Sequence, residues 1–294
     1  MTLMPRTFRP RRSLLYMPAS NARALEKART LAADTLIFDL EDAVAPDAKA
    51  DARAAAVAAA ATKSYGPREI LIRVNGLDTV WAEGDLSAAG ASVADGVVLP
   101  KVSSPEDITR AEAALNAAGA RADFAIWAMM ETPRGVLCAD RIAGASARLA
   151  GFIIGTNDLA KDLHSAHPAD RAPMLYALQR CVMVARAYGL SAIDGVHMNI
   201  EDEASLVAAC KQGRDLGFDG KSLIHPKQIA AANAAFAPSP DEIAQAERIV
   251  AAYRQAAAKG SGVAVLDGHL VEALHAGAAE RLLAQARAIA AMAP

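Results

Sequence analysis

Glu131 and Asp158 each stand at or just past the end of a short apolar run, and two carboxylates brought together form a ligand set for a hard divalent cation. Mg2+ takes one or two protein carboxylates and completes its octahedron with water and substrate oxygens, so a pair of acids is enough. Taken singly, each acid could equally cap the helix after its strand, since Asp158 precedes LAKDL and Glu131 precedes Thr132-Pro133-Arg134-Gly135. Taken together, they favour a metal. Gly155-Thr156-Asn157, immediately before Asp158, can turn backbone N–H groups toward a substrate carboxylate beside such an ion. Arg73 lies within the apolar stretch Ile70 to Val74, where a bare charge is costly. It therefore meets either a bound anion or a salt bridge to Glu41 or Asp42. His164 and His167 have metal-compatible spacing but no third ligand, and read as solvated surface. Gly220-Lys221-Ser222 lacks the earlier glycine of a phosphate loop, Asp215 standing there instead, and no GxGxxG is present.

The elements that must position these residues alternate. Short apolar runs occur at Ser13 to Tyr16, Thr35 to Leu40, Ile70 to Val74, Gly96 to Leu99, Phe124 to Met130, Gly151 to Ile154, Ser191 to Ile193 and Ser222 to Ile224. Alanine-rich helical stretches separate them, which is the mark of βαβ units on a parallel sheet. Eight such strands close an α/β barrel, the (β/α)8 TIM barrel, whose active site is built where the strands end. Polar residues gather there: Glu41 and Asp42 after the second strand, Asn75 after the third, Lys101 after the fourth, Asp194 after the seventh and His225 after the eighth. Ser104-Pro105 and Ser239-Pro240, each with an acid three residues after the serine, predict helix starts. The expected organisation is a catalytic barrel over 1–237 and a C-terminal helical extension over 238–294. That extension reads as a helix from Asp241 to Ala258, an extended piece from Val263 to Leu266, and a last helix from about Glu272.

Composition removes several classes. The 294 residues are 53% apolar and only 4% aromatic, the excess being alanine, which suits many close-packed helices. A net charge of -2 offers no field for a nucleic-acid backbone. The three cysteines, Cys138, Cys181 and Cys210, are scattered and odd in number, as for reduced thiols in a cytoplasm. The basic start MTLMPRTFRPRR is followed by no apolar signal region, and no run is long enough to span a membrane, so a cytoplasmic enzyme is expected.

The segments RSLLYMPAS, TLIFDLEDAVAPDAKADAR, LIRVNG, VVLPKV, METPRGV, GTNDLAKDL, AIDGVHMNIED and LGFDGKSLIHPKQI, in this order, resemble the citrate lyase beta subunit-like family. That family includes malyl-CoA and citramalyl-CoA lyases within the HpcH/HpaI aldolase group, and the resemblance runs from about Arg12 to the last helix. It implies that Glu131 and Asp158 bind Mg2+, with Mn2+ as an alternative. It further implies that Arg73 binds the oxo-acid carboxylate and that Glu41 and Asp42 flank the metal's water shell. A C-terminal carboxylate, often from a neighbouring subunit, closes the site in such lyases. Here the commoner M-(I/V)-D pattern is replaced by Gly268-His269-Leu270-Val271-Glu272, which leaves Glu272, Asp267 or neither as that acid. Arg11, Arg12 and Arg23 are candidates for CoA phosphates, or ordinary surface charge. The implied reaction is reversible carbon-carbon cleavage of a 3-hydroxy-3-carboxyacyl-CoA such as malyl-, citramalyl- or citryl-CoA, in a homo-oligomer of three or six subunits. The rivals are an aldolase acting on free 2-oxo acids and a beta subunit of a citrate lyase complex served by a carrier-bound acyl group.

Overall fold

The computed structural model describes residues 9–292. Eight parallel strands close into a barrel in chain order: β1 (Ser13–Pro18), β2 (Thr35–Asp39), β3 (Glu69–Arg73), β4 (Gly96–Leu99), β5 (Ala125–Met130), β6 (Leu149–Ile154), β7 (Ser191–Asp194) and β8 (Gly220–Leu223), with β8 returning to pair β1. The expected (β/α)8 barrel is therefore present. All eight runs are strands, within one or two residues of the limits read from the sequence.

Strand periodicity separates two layers of packing. Leu14, Ile37, Leu71, Val98, Trp127, Ile153 and Ile193 fill the barrel interior, while their neighbours Leu15, Leu36, Phe38, Ile70 and Ile72 meet the surrounding helices. Two residues further along a strand lies the next inward position, so this alternation carries Tyr16, Asp39, Arg73 and Met129 inward at the C-terminal mouth and aims Glu131 the same way. The β2–β3 register sets Asp39 directly beside Arg73.

Near the ends of β7 and β8 the interior holds a charged group. Asp194 is fully buried and accepts from Lys221 Nζ at 2.8 Å and Arg171 Nη1 at 2.5 Å. Burial pushes its carboxyl upward, but Lys221 and Arg171 together hold it below its ordinary value. Lys221, part of the segment that superficially suggested a phosphate loop, is thus an interior strand residue.

Both predicted helix starts carry their caps: Asp107 accepts the Ser104 N–H at 2.9 Å, and Glu242 accepts the Ser239 N–H at 2.7 Å. The chain divides into two compact units, one of them Arg11–Phe236. In the other, the helices Pro240–Ala258 and Ala273–Ala291 pack through Ala246, Val250 and Ala279. The extended piece read at Val263 to Leu266 is only half of its element. β9 (Ala264–Leu266) pairs antiparallel with β10 (His269–Val271) around Asp267-Gly268, both at positive φ, as a two-residue hairpin turn of the Asp-Gly kind requires.

Candidate active site

Glu131 follows the last residue of β5 and is 2% exposed. One carboxylate oxygen accepts the Lys101 backbone N–H at 2.7 Å, and the other side of the carboxylate lies so close to Gly155 that any Cβ there would overlap it. Glycine at 155 is therefore a matter of space. Burial drives the Glu131 carboxyl up to about 7; the Lys101 N–H opposes this, while Glu41 and Asp158 add to it. Asp158 sits in the first turn of the helix Thr156–Asp162, half-buried, and no described protein group donates to its carboxylate. The two acids line two clefts at this mouth, one of about 330 Å³ and one of about 410 Å³, and so stand in the wall between them.

Lys101 holds a left-handed backbone at φ 55°, which costs a non-glycine residue about 1–2 kcal/mol. That geometry points its N–H at Glu131. Its ammonium donates to Glu41 Oε1 at 3.0 Å; burial would lower its pKa, but Glu41, Asp42 and Asp158 raise it above the ordinary value.

Arg73 is almost fully buried and meets Asp39 through two bonds, Nε at 2.6 Å and Nη2 at 2.7 Å. Its Nη1 lies 2.9 Å from Glu41 Oε2 and 3.2 Å from Asp42 Oδ2, and its guanidinium covers the Tyr16 ring at 4.7 Å. The Glu41 contact is a close charge pair without hydrogen-bond alignment, so Glu41 Oε2 stays buried and unsatisfied. Both outcomes foreseen for Arg73 are thus compatible. It is salt-bridged to Glu41 and Asp42, and it also lines the cleft, where Asp42, 64% exposed, is the partner a bound carboxylate could displace.

Around Glu131 two cations, Arg73 and Lys101, are shared among Asp39, Glu41, Asp42, Glu131 and Asp158. This excess of carboxylate, all oxygen and partly unsatisfied, fits a divalent cation of the Mg2+ type. Among the described residues no cluster of three or more His, Cys, Asp or Glu encloses an ion, so a cation here would take two carboxylates and draw its remaining ligands from water and substrate. The first N–H groups of the helix Thr156–Asp162 have no carbonyl one turn back and remain available to an anion; Thr156 Oγ1 is buried without a partner. Asn157 is exposed.

Other predicted residues fall elsewhere. Arg12 is corrected: it precedes β1 at the N-terminal mouth, opposite Glu131, where Nε and Nη2 donate to Asp34 at 2.8 and 2.7 Å. Arg11, at the same end, pairs with Glu69 at 2.7 Å and covers Trp127. Neither can serve a ligand at the opposite mouth. Arg23 is exposed on the short helix Ala22–Ala28 that follows β1. Glu272 belongs to the C-terminal unit, capping the helix Ala273–Ala291, with its N–H donating to His275 Nδ1 at 3.0 Å. Asp267, the other acid considered, is held by Arg248 through two contacts of 2.6 Å. His164 and His167 are exposed, as expected.

Three participants were missed. Asp39 organises its loop by accepting the Glu41 and Ala43 N–H groups as well as Arg73. Lys49, buried, donates to the Leu40 and Glu41 carbonyls at 2.7 Å each and fixes where Glu41 stands. Tyr16 is a partly buried phenol whose pKa is raised by desolvation, its hydroxyl donating to Met129 Sδ. Only the alternation along β1 and β2 hinted at Tyr16 and Asp39, and nothing local marks Lys49.

The sequence profile of the family described as HpcH/HpaI aldolase/citrate lyase matches residues 12–226. A (3S)-malyl-CoA thioesterase of Cereibacter sphaeroides is 51% identical, with 96% of each chain covered. The citrate lyase subunit beta of Escherichia coli is 35% identical over 92% of this chain and 91% of that one. Among solved structures, the protein CitE from Mycobacterium tuberculosis in complex with magnesium, acetoacetate and coenzyme A superposes with a TM-score of 0.77 at 30% identity, covering 94% of this chain and 97% of that one.

Proposed function

This chain belongs to the HpcH/HpaI aldolase/citrate lyase family, and from that premise we propose that it is a Mg2+-dependent carbon-carbon lyase for a malyl-type CoA thioester. The substrate is a 3-hydroxyacyl-CoA with a carboxylate on the carbinol carbon, cleaved to an acyl-CoA and a 2-oxo acid or formed in reverse. The observation that carries the reading is the pair Glu131 and Asp158 in a wall shared by two clefts, amid more carboxylate than the local cations balance. Mg2+ held there, or Mn2+ in its place, would supply Lewis-acid charge to the substrate's carboxylate and hydroxyl oxygens.

The chain's own groups set the geometry. The Lys101 N–H and the missing side chain at Gly155 orient the Glu131 carboxylate. Arg73, clamped by Asp39 on one edge, turns Nη1 toward the cleft to meet the substrate carboxylate, and the Thr156 and Asn157 N–H groups complete that anion's partners. Glu41 and Asp42 would flank the waters of a cation held by Glu131 and Asp158. Arg23 meets the CoA phosphates, and Glu272, supplied by a neighbouring subunit of the homo-oligomer, serves as the acid or base toward the acyl methyl group. The enzyme works in a homo-oligomer, which light scattering would test. Among the described residues no helix is long and apolar enough to cross a membrane.

A second reading has its own support: relatives 49–51% identical carry the name (3S)-malyl-CoA thioesterase. On that reading the same site holds the same substrate, but water takes the thioester and the carbon-carbon bond survives. Incubation with Mg2+ and malyl-, citramalyl- and citryl-CoA separates the two. Free 2-oxo acid with acyl-CoA is the expected result. Free hydroxy diacid with CoA gives the reaction to hydrolysis. Turnover of a free hydroxy-oxo acid alone, or only of a carrier-bound acyl group, overturns both.

A further inference from the structure

Whichever bond breaks, negative charge develops on one atom, the thioester carbonyl oxygen. In carbon-carbon cleavage the carbinol hydroxyl gives up its proton and its oxygen becomes the new C=O of the 2-oxo acid. The electron pair of the breaking carbon-carbon bond moves into the thioester as an enolate, whose oxygen carries the charge until that proton, or one exchanged for it, reaches the methylene carbon. In hydrolysis, water adds to the carbonyl carbon, the carbonyl electron pair moves onto oxygen, and its return expels the CoA thiolate, which takes up the proton released by the water. A low-dielectric site accelerates either step by aiming a fixed donor at that oxygen.

Few groups beside Glu131 and Asp158 are placed to be that donor. Arg73 has both Nε and Nη2 bound to Asp39 and Nη1 directed at carboxylates. Arg110 donates to the Leu77 carbonyl. Lys161, like Arg110, lines the same cleft as Lys101, but it rises from the exposed side of the helix Thr156–Asp162, and among the described residues no carboxylate fixes its ammonium there. Lys101 differs from all three. Its side chain is half-exposed to the cleft it shares with Glu131 and Asp158, and its ammonium uses one of three protons, on Glu41 Oε1. The left-handed backbone that spends its N–H on Glu131 also fixes where this side chain starts. Strain of this kind persists where the surrounding structure over-determines it.

We propose that Lys101 is a catalytic residue, its ammonium donating to the thioester carbonyl oxygen while Glu41 holds it in place. This rests on the CoA-thioester reading above but is indifferent to which of the two bonds is cleaved.

Lys101→Met keeps the stem and the backbone but removes the charge; Lys101→Arg restores a cation. With malyl-CoA and saturating Mg2+, Lys101→Met is expected to lower kcat by about a hundredfold while KM changes by less than about threefold, and Lys101→Arg to recover about tenfold. Mn2+ affinity, read by electron paramagnetic resonance, is expected to be unchanged in Lys101→Met, because the backbone N–H still holds Glu131. Lys161→Met is expected to behave as the unaltered chain. Unchanged kcat in Lys101→Met overturns the assignment, as does a loss of Mn2+ affinity in step with kcat or a comparable loss in Lys161→Met. A chain that turns over no CoA thioester sinks the functional reading itself. Turnover that is undiminished in Lys101→Met sinks only this residue's role.

Discussion

At the scale of single residues, the site depends on what is missing as much as on what is present. Gly155 adopts an ordinary negative φ, so its role is to leave room for Glu131 rather than to reach an unusual backbone. Gly155→Ala is expected to push the Glu131 carboxylate off its Lys101 N–H and to weaken Mn2+ binding by about 10–100-fold, the range seen when a ligand loses its support. Calorimetric titration of the cation measures this, and affinity within a factor of two would contradict the spatial argument. Glu131, Asp158 and Arg73 were legible as chemistry-bearing residues because charge directly after, or inside, an apolar strand is conspicuous. Their partners were less legible. Asp39 could be seen at the end of its run, but its pairing with Arg73 depends on the β2–β3 register, which no local pattern states. Lys49 reaches back to the Leu40 and Glu41 carbonyls from the start of an alanine-rich helix, where a lysine is indistinguishable from solubilising charge.

At the scale of elements, strands were readable where they are buried on both faces. The runs of four to six residues in β2, β4, β5 and β6 are too short for a buried helix and too apolar for a loop. The β9–β10 hairpin escaped because its strands have three residues each, too few to display alternation, although Asp267-Gly268 carried the turn signal. The weakest run by sequence, Ser191 to Ile193, is held by an interaction that hydropathy does not register: Asp194 binding Lys221 of β8 and Arg171 of the loop that precedes the helix Leu175–Tyr188. Removing one member of such a buried group leaves the others uncompensated, so Asp194→Asn is expected to cost about 3–5 kcal/mol of stability. The sign with pH follows from its lowered pKa. A carboxyl whose folded pKa lies below its unfolded value of 3.8 binds more protons unfolded than folded in the interval between them. Its stabilisation is full above that unfolded value and is lost as pH falls from there through the folded pKa. Urea midpoints taken between neutral pH and strong acid should fall steeply at the acid end in the unaltered chain and less steeply in Asp194→Asn; parallel curves would argue against the linkage.

At the scale of the barrel, its two mouths are charged by different rules. At the N-terminal mouth Arg11 meets Glu69 and Arg12 meets Asp34, each guanidinium held by a buried carboxylate, which is why arginines that resemble phosphate binders in sequence are tied to that end. At the C-terminal mouth carboxylates outnumber cations, Glu131 is lifted to about 7 and Glu41 is raised as well, both chiefly by burial. An excess of this kind destabilises a fold unless something balances it, so a cation that binds the folded state and not the unfolded chain should stabilise the protein in proportion to its occupancy. At a free concentration a hundred times its dissociation constant, Mg2+ would add about 2.7 kcal/mol. For a chain of 294 residues that corresponds to a rise of about 4 °C in the unfolding midpoint. Differential scanning calorimetry with and without Mg2+, reversed by a chelator, measures the rise, and Glu131→Gln is expected to abolish it while unfolding at or above the midpoint of the cation-free parent, because it removes a buried acid that burial disfavours. If Glu131→Gln kept the full Mg2+-dependent rise, the ion would be binding elsewhere, and the imbalance at this mouth would have to be met by the substrate alone.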